Sequence, residues 1–355
     1  TSNYSVPPAK RVFSPGVGVD CTKMGGNSHL IRYGLQGLVP KYNHQPTPLT
    51  PDSVKDILDI GGSILGSSRG AQNIEVIVDT LQKMDIGIIF MIGGDGTLKA
   101  SAKIADEITK RKLIISVIGI PKTIDNDIYL VSRSFGFDTA VDVASQAING
   151  AHSEAEGYPN GIGLLKLMGR HSGYIAATAA LARQDVNFVL VPEVDFDLDG
   201  PNGFLACLEK RLANRKHVVV VVAEGAGQKF FDDSTSGKDP SGNIKLNDIG
   251  LFLKEQISSH FMEKGIDFSL KYIDPSYMIR SLPANASDRV FCGLLGRDAV
   301  HAGMAGKTKL LIGHWNNQFI HIPMDASVGK RKQLEEADKL WRSVLSVTGQ
   351  GNMKN

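Results

Sequence analysis

Two short runs concentrate the chemistry of this sequence: Gly93-Gly94-Asp95-Gly96-Thr97 and Pro121-Lys122-Thr123-Ile124-Asp125-Asn126-Asp127. In the first, the glycines let the backbone approach phosphate oxygens, and the free N–H groups that open a helix favour negative charge. A carboxylate there repels phosphate, so Asp95 can act only through a cation. Mg²⁺ suits that task, because it keeps water in its shell while bridging a carboxylate to phosphates. The plain alternative is a tight strand-to-helix turn that needs small residues. In the second run, Asp125 and Asp127 stand two residues apart just past a strand. One can accept the proton of a substrate hydroxyl while the other bonds a metal or its waters. The competing reading is an Asx-type turn whose polar side chains cap their own backbone. Lys122 weakens it, since a cation and two carboxylates at one strand end suit phosphoryl transfer.

Other candidates also fall at strand ends. In Met168-Gly169-Arg170, Arg170 can fork onto a phosphate or onto transition-state charge, against an ordinary surface ion pair. Glu224 follows the apolar run 218–222 and could accept sugar hydroxyls or merely cap a helix. Pro275-Ser276-Tyr277-Met278-Ile279-Arg280 offers Arg280 to a phosphate and Tyr277 as a hydroxyl donor, with Lys271 on the strand before it. Gly66-Ser67-Ser68-Arg69-Gly70 adds a loop cation among small residues.

The elements that must position these groups alternate regularly. Apolar runs at 86–92, 113–119, 161–168, 187–191 and 217–223 read as buried parallel strands, with helices such as 98–110 and 173–183 between them. That alternation predicts an α/β fold with a parallel sheet covered on both faces and ligands at the carboxyl ends of its strands. A polar stretch, 231–245, reads as a surface insertion. Strands at 309–312 and 318–323 join at an Asn316-Asn317 turn, and a charged helix over 330–344 closes the fold. The first 50 residues show no strand–loop–helix unit.

A length of 355 residues allows two lobes, and 42% hydrophobic with 21% charged residues is a globular balance. The net charge of +2 gives no global field for a nucleic acid or a membrane surface. Cys21, Cys207 and Cys292 are too far apart for a disulfide framework or a zinc motif, so reduced thiols of an intracellular protein are expected. No apolar run reaches the roughly 18 residues of a membrane helix, and neither a secretory signal nor a peroxisomal tripeptide is expected.

From about residue 33 to residue 350 the sequence resembles the 6-phosphofructokinases. The run 62–70, both motifs above, Lys166-Leu167-Met168-Gly169-Arg170, Val222-Ala223-Glu224-Gly225 and the run 275–280 occur in that family's order. Pro-Lys-Thr-Ile-Asp-Asn-Asp and Pro-Ser-Tyr-Met-Ile-Arg look like the lineage close to the pyrophosphate-dependent enzymes, which includes ATP-using trypanosomatid ones. The resemblance implies two Rossmann-like three-layer lobes with mostly parallel sheets. A nucleotide (ATP/Mg) lobe would comprise 1–137 plus about 279–312, and a fructose 6-phosphate lobe 138–278 plus about 313–355. It also implies transfer of the γ-phosphoryl of MgATP to the 1-hydroxyl of fructose 6-phosphate, giving fructose 1,6-bisphosphate.

In that carry-over Asp125 takes the hydroxyl proton, and Asp95 binds Mg²⁺ with Asp127 assisting. Lys122, Arg170 and Arg69 balance charge on the moving phosphoryl, while Ser68, Gly94, Gly96 and Thr97 meet the nucleotide. Thr123, Met168, Gly169, Arg170, Glu224, Tyr277 and Arg280, helped by Lys271, hold the sugar phosphate. Glycine at position 96 implies ATP as donor, because an Asp there fills the α-phosphate space; Lys122 points weakly to pyrophosphate. A non-catalytic subunit is a further alternative, and the lipid and NAD kinases share Gly-Gly-Asp-Gly but lack the other runs. The family also implies a homotetramer with effector sites between subunits, in the cytoplasm or a glycosome-like organelle. One departure stands out. The family's usual Gly-Gly-x-x-Pro-Gly-x-Asn phosphate loop has only Met24-Gly25-Gly26-Asn27 as a counterpart, which implies that part of the phosphate cradle ahead of residue 33 is missing.

Overall fold

The structure is a computed structural model that describes residues 11–13, 28–231, 237 and 245–355. Two sheets organise it. The larger has seven strands, in the order β11-β10-β5-β4-β1-β2-β3. These are β1 (Arg11–Phe13), β2 (Ser28–Leu30), β3 (Thr47–Pro48), β4 (Ile86–Gly93), β5 (Ser116–Pro121), β10 (Leu310–Trp315) and β11 (Gln318–Pro323). The smaller sheet has the order β7-β8-β6-β9, all parallel, from β6 (Gly161–Leu167), β7 (Phe188–Leu190), β8 (His217–Ala223) and β9 (Ser269–Ile273).

β4 and β8 form because apolar side chains occupy both faces, the pattern of a strand covered on two sides. On one side of β4 and β5, Ile89, Met91 and Val117 meet α1 (Ile74–Lys83) and α2 (Asp95–Lys110) through Ile77, Leu81, Ile104 and Ile108. On the other, Ile88, Phe90 and Ile118 meet Phe291, Leu295 and Ala299 of α8 (Ala286–Met304). The smaller sheet repeats the plan. Val219, Val221 and Leu165 pack on α3 (Phe137–Glu156), α4 (Tyr174–Arg183) and α9 (Lys339–Thr348). Val218, Val220 and Leu164 pack on α5 (Phe204–Arg215) and α6 (Ile249–Glu263). Each lobe is thus helix on sheet on helix, and each buries one apolar core per sheet face.

Four sequence expectations change. The strand read over 113–119 begins later, because Lys112 turns left-handed (φ 56°) and Leu113 N–H still bonds back to Ile108 O at 3.0 Å, closing α2. The N-terminal region does supply strands: β1 sits between β4 and β2, too short to show as a pattern. β11 pairs antiparallel with β10 across Asn316 and Asn317, both left-handed, which is the geometry of a tight two-residue hairpin. Residues 318–323 therefore lie in the larger sheet rather than with the second lobe, where the expected division put them, and the chain returns to the smaller sheet through Leu334, α9 and Met353. Finally, the helix expected over 330–344 is α9, starting at Lys339. Arg331 instead makes an antiparallel bridge to Ile128, and Lys332 and Leu334 spend their N–H groups on Asp127 O and the Glu193 carboxylate. Met24-Gly25-Gly26-Asn27 and most of the 231–245 insertion lie outside the described residues.

Candidate active site

β4 and β5 end side by side, with Gly93 opposite Pro121 and Lys122 N–H donating to Gly93 O at 2.9 Å. This adjacency brings the two chemical runs to one sheet edge. They face a cleft of about 890 Å³ lined by Ser68, Arg69, Gly94, Asp95, Gly96, Thr97, Lys122, Thr123, Asp127 and Arg170. Lys99, Lys103 and Arg331 line it too, so six cationic side chains face two carboxylates. That balance suits a polyphosphate.

The glycines of the first run have separate reasons. A side chain at Gly93 would strike Thr97. At Gly94 it would make only ordinary contact with Lys122 O, and at Gly96 it would meet nothing within 4 Å. Packing therefore does not require glycine at 96. Gly94 caps α2 with no side-chain hydrogen bond, which leaves helix N–H groups for a ligand. Asp95 opens that helix and is paired with Lys99 at 2.7 Å.

In the second run the Asx-type turn is present. Asn126 is the Asx-type residue: it is buried at φ 54°, its Oδ1 accepts from Ser134 N–H at 3.0 Å, and its Nδ2 donates to Ser132 O at 3.2 Å. Ser134 Oγ then donates to Thr123 O at 2.7 Å. This turn is built on Asn126, with Asp125 and Asp127 on either side of it. Asp127 lines the cleft, where its carboxylate accepts from Thr123 Oγ1 at 3.2 Å and lies 3.9 Å from Arg331. Asp125 sits at the junction of the lobes: its N–H donates to Thr123 Oγ1, and its carbonyl accepts from Ser172 Oγ at 2.9 Å.

The second lobe adds the Met168–Ser172 turn. Gly169 has φ 134°, and a side chain there would strike Ser172 O. Gly225, past β8, packs on the Arg170 carbonyl. Arg170 reaches the cleft, and its buried Nε has no hydrogen-bond partner among the described residues. Glu224 follows β8, with its N–H on Leu167 O at 2.9 Å. Lys166 holds Asp248 at 2.7 Å and Asp274 at 3.0 Å. Burial alone lowers an ammonium pKa, but these two partners win and raise it. The bond to Asp274 anchors the chain just before α7 (Ser276–Ser281), which carries Tyr277. Tyr277 is 86% exposed, and the Arg280 side chain lies outside the described residues. Lys271 lies on β9, an edge strand of the smaller sheet, where it pairs with Gly163, and its ammonium lies 5.4 Å from the centroid of the Tyr158 ring.

Sequence reasoning missed Arg331, Lys332 and Glu193. The sequence signal for the first two was the basic run Lys330-Arg331-Lys332, which reads as a solvated helix face. Lys332 is folded over the 123–127 turn. Its backbone N–H donates to Asp127 O at 2.9 Å, its ammonium donates to Val131 O at 2.8 Å and Ser132 O at 3.2 Å, and it lies 4.8 Å from the centroid of the Tyr174 ring. Burial pushes its pKa down to about 8 against some help from Asp127. A depressed base costs stability while charged, so that cost is present below pH 8 and fades as the pH rises toward the ordinary 10.5. Glu193 accepts from Gly173 N–H and Leu334 N–H, each at 3.0 Å, tying the α4 N-terminus to the same segment; burial raises its pKa despite those bonds. His171 is lowered by burial, then by Arg331 and Arg170. Lys332→Met, which keeps length and apolar bulk, is expected to lower kcat by roughly 10- to 100-fold through a loosened turn, with KM values little changed. Steady-state kinetics together with thermal unfolding checks this, and an unchanged kcat would show that the turn holds without Lys332.

Among the described residues no helix is long and apolar enough to cross a membrane. The family pattern described as Phosphofructokinase matches residues 17–303. An ATP-dependent 6-phosphofructokinase of Borreliella burgdorferi is 54% identical over 336 residues, covering 93% of this chain and 75% of that protein. ATP-dependent 6-phosphofructokinase 1 of Arabidopsis thaliana is 49% identical, covering 84% of this chain and 64% of its own length. The chain thus spans about two thirds to three quarters of these relatives. A solved structure, the pyrophosphate-dependent phosphofructokinase of Marinobacter aquaeolei, aligns with a TM-score of 0.75 over 98% of this chain and 92% of its own; at 19% identity that is a likeness of fold.

Proposed function

Because the chain belongs to the phosphofructokinase family, we propose that its cleft transfers the γ-phosphoryl group of MgATP to the 1-hydroxyl of fructose 6-phosphate, giving fructose 1,6-bisphosphate and ADP. The observation that carries this reading is the single cleft that gathers Asp95, Gly96, Lys122, Asp127 and Arg170 from two lobes. Asp125 is the base for the hydroxyl proton, beside Thr123 and held from the second lobe by Ser172. An ordinary carboxylate suffices, since the proton leaves late in a loose transition state. Lys122, Arg170 and Arg69 counter the charge of the moving phosphoryl, and Arg331 joins them from the C-terminal segment. Free N–H groups at the start of α2 receive the nucleotide phosphates. Met168, Gly169, Glu224, Tyr277 and Arg280 hold the sugar phosphate from the second lobe.

The donor set fits Mg²⁺. Asp95 and Asp127 offer hard oxygens, and no three-residue metal cluster lies in the cleft among the described residues. Mg²⁺ is bound in that manner, by one or two carboxylates together with phosphates and water. Asp95 and Asp127 would hold it, and when bound it supplies charge neutralisation on the phosphates. Homotetrameric assembly and a cytoplasmic location belong to the same reading. A coupled assay with fructose 6-phosphate and either ATP or pyrophosphate tests it: turnover with ATP is expected, and turnover with pyrophosphate alone would overturn the choice of donor.

A further inference from the structure

At the end of the second sheet farthest from the cleft, two glycines let a helix come unusually close to a strand. A side chain at Gly161 would strike the Ala155 carbonyl, and one at Gly163 would strike that of Ala151. The last turn of α3 therefore lies directly over the start of β6, and Gly161 is paired with His217, the first residue of β8. This brings His152 and Glu156, one helical turn apart on α3, against His217. Among the described residues it is the only group of three or more His, Cys, Asp or Glu side chains near enough together to share an ion; one ligand atom from each lies within 4.8 Å of the others.

We propose that His152, Glu156 and His217 form a binding site for a divalent ion of the zinc class, separate from the Mg²⁺ of the cleft. The geometry is close to that of a bound state. His152 Nε2 lies 3.5 Å from Glu156 Oε1. Two ligands at about 2.1 Å from one tetrahedral ion stand about 3.4 Å apart. The two imidazoles meet edge to face with centroids 5.3 Å apart, so small side-chain rotations bring the third ligand in. His152 Nδ1 is buried with no hydrogen-bond partner among the described residues, so no competing hydrogen bond at that nitrogen fixes the ring. Two imidazoles and one carboxylate select a borderline metal over Mg²⁺ or Ca²⁺, which prefer all-oxygen shells. The carbonyl end of α3 adds a favourable partial negative charge. Three protein ligands leave a coordination position for water or another donor.

The ion would tie the end of α3 to the start of β8. The opposite ends of these elements lead to the cleft: α3 begins after the turn that carries Asp125 and Asp127, and β8 ends at Ala223, next to Glu224. The consequence is stabilisation of the second lobe without participation in the reaction, and it stands independently of how the cleft is read.

The test uses chelator-stripped protein in excess Mg²⁺, which occupies the cleft carboxylates. Co²⁺ as the probe is expected to bind at a single equivalent, with visible absorption bands of an imidazole–carboxylate site and no thiolate charge-transfer band. Zn²⁺ should displace it and raise the thermal midpoint. His152→Ala and His217→Ala are each expected to weaken Co²⁺ binding by at least about 10-fold, while turnover and the metal-free thermal midpoint stay at wild-type values. A wild-type protein that shows no such spectrum, or variants that bind Co²⁺ as tightly as wild type, would reduce the trio to a hydrogen-bonded surface cluster and overturn the site.

Discussion

Asp125→Asn is expected to cut kcat by roughly 10²- to 10⁴-fold, the range for losing a positioned general base, with KM for fructose 6-phosphate changed only a few-fold. The structural reason to expect a folded variant is specific. Two hydrogen bonds that seat Asp125 use its main chain: the N–H on Thr123 Oγ1 and the carbonyl under Ser172 Oγ. The turn itself is built by its neighbour Asn126 and by Ser134. Asparagine keeps the size and polarity of the side chain and removes only the ability to take a proton. A companion variant, Asn126→Ala, should behave differently. It removes a buried cap from a left-handed position and is expected to lower stability by about 1–3 kcal/mol, as well as activity. Unchanged turnover in a folded Asp125→Asn protein would remove the base assignment.

That contrast between Asp125 and Asn126 also shows what a sequence can and cannot tell. Residue types announce chemistry when they follow a strand and precede a helix, because parallel sheets put such loops at one edge. β4 and β5 were readable because each is an unbroken apolar run, and their motifs meet because those strands are neighbours. The β8 run was readable end to end for the same reason. What failed was non-local. The backbone of 331–334 looks helical in composition, yet its N–H groups are taken by Asp127 O and Glu193, partners 141 or more residues away in sequence. Nothing in Lys330-Arg331-Lys332 says that the cation at its end will fold over the 123–127 turn. β1 was invisible because three residues carry no period. Lys271 was tied to the site by its place on the strand before 275–280, and the sequence did not show that its ammonium lies beside the Tyr158 ring.

The second large effect concerns the donor. Gly96→Asp is expected to lower ATP-supported turnover by roughly 100-fold or more, since a like charge brought against a phosphate in the cleft costs several kcal/mol. Stability should hold. Gly96 does not have a left-handed φ, an added side chain meets nothing within 4 Å, and an acidic residue in the first turn of α2 is favoured by the helix dipole. Gly96→Ala separates bulk from charge: it fills the same space without repulsion and should lose far less, by about 10-fold or under. Gly93→Ala serves as the opposite control, because its side chain would strike Thr97 and should disturb the fold itself. Measured with pyrophosphate in place of ATP, Gly96→Asp should be no worse than wild type, because pyrophosphate has no α-phosphate to meet the new carboxylate. If Gly96→Asp retains full ATP turnover, the open space beside residue 96 is not where the nucleotide passes, and the donor must be assigned from Lys122 and the rest of the cleft instead.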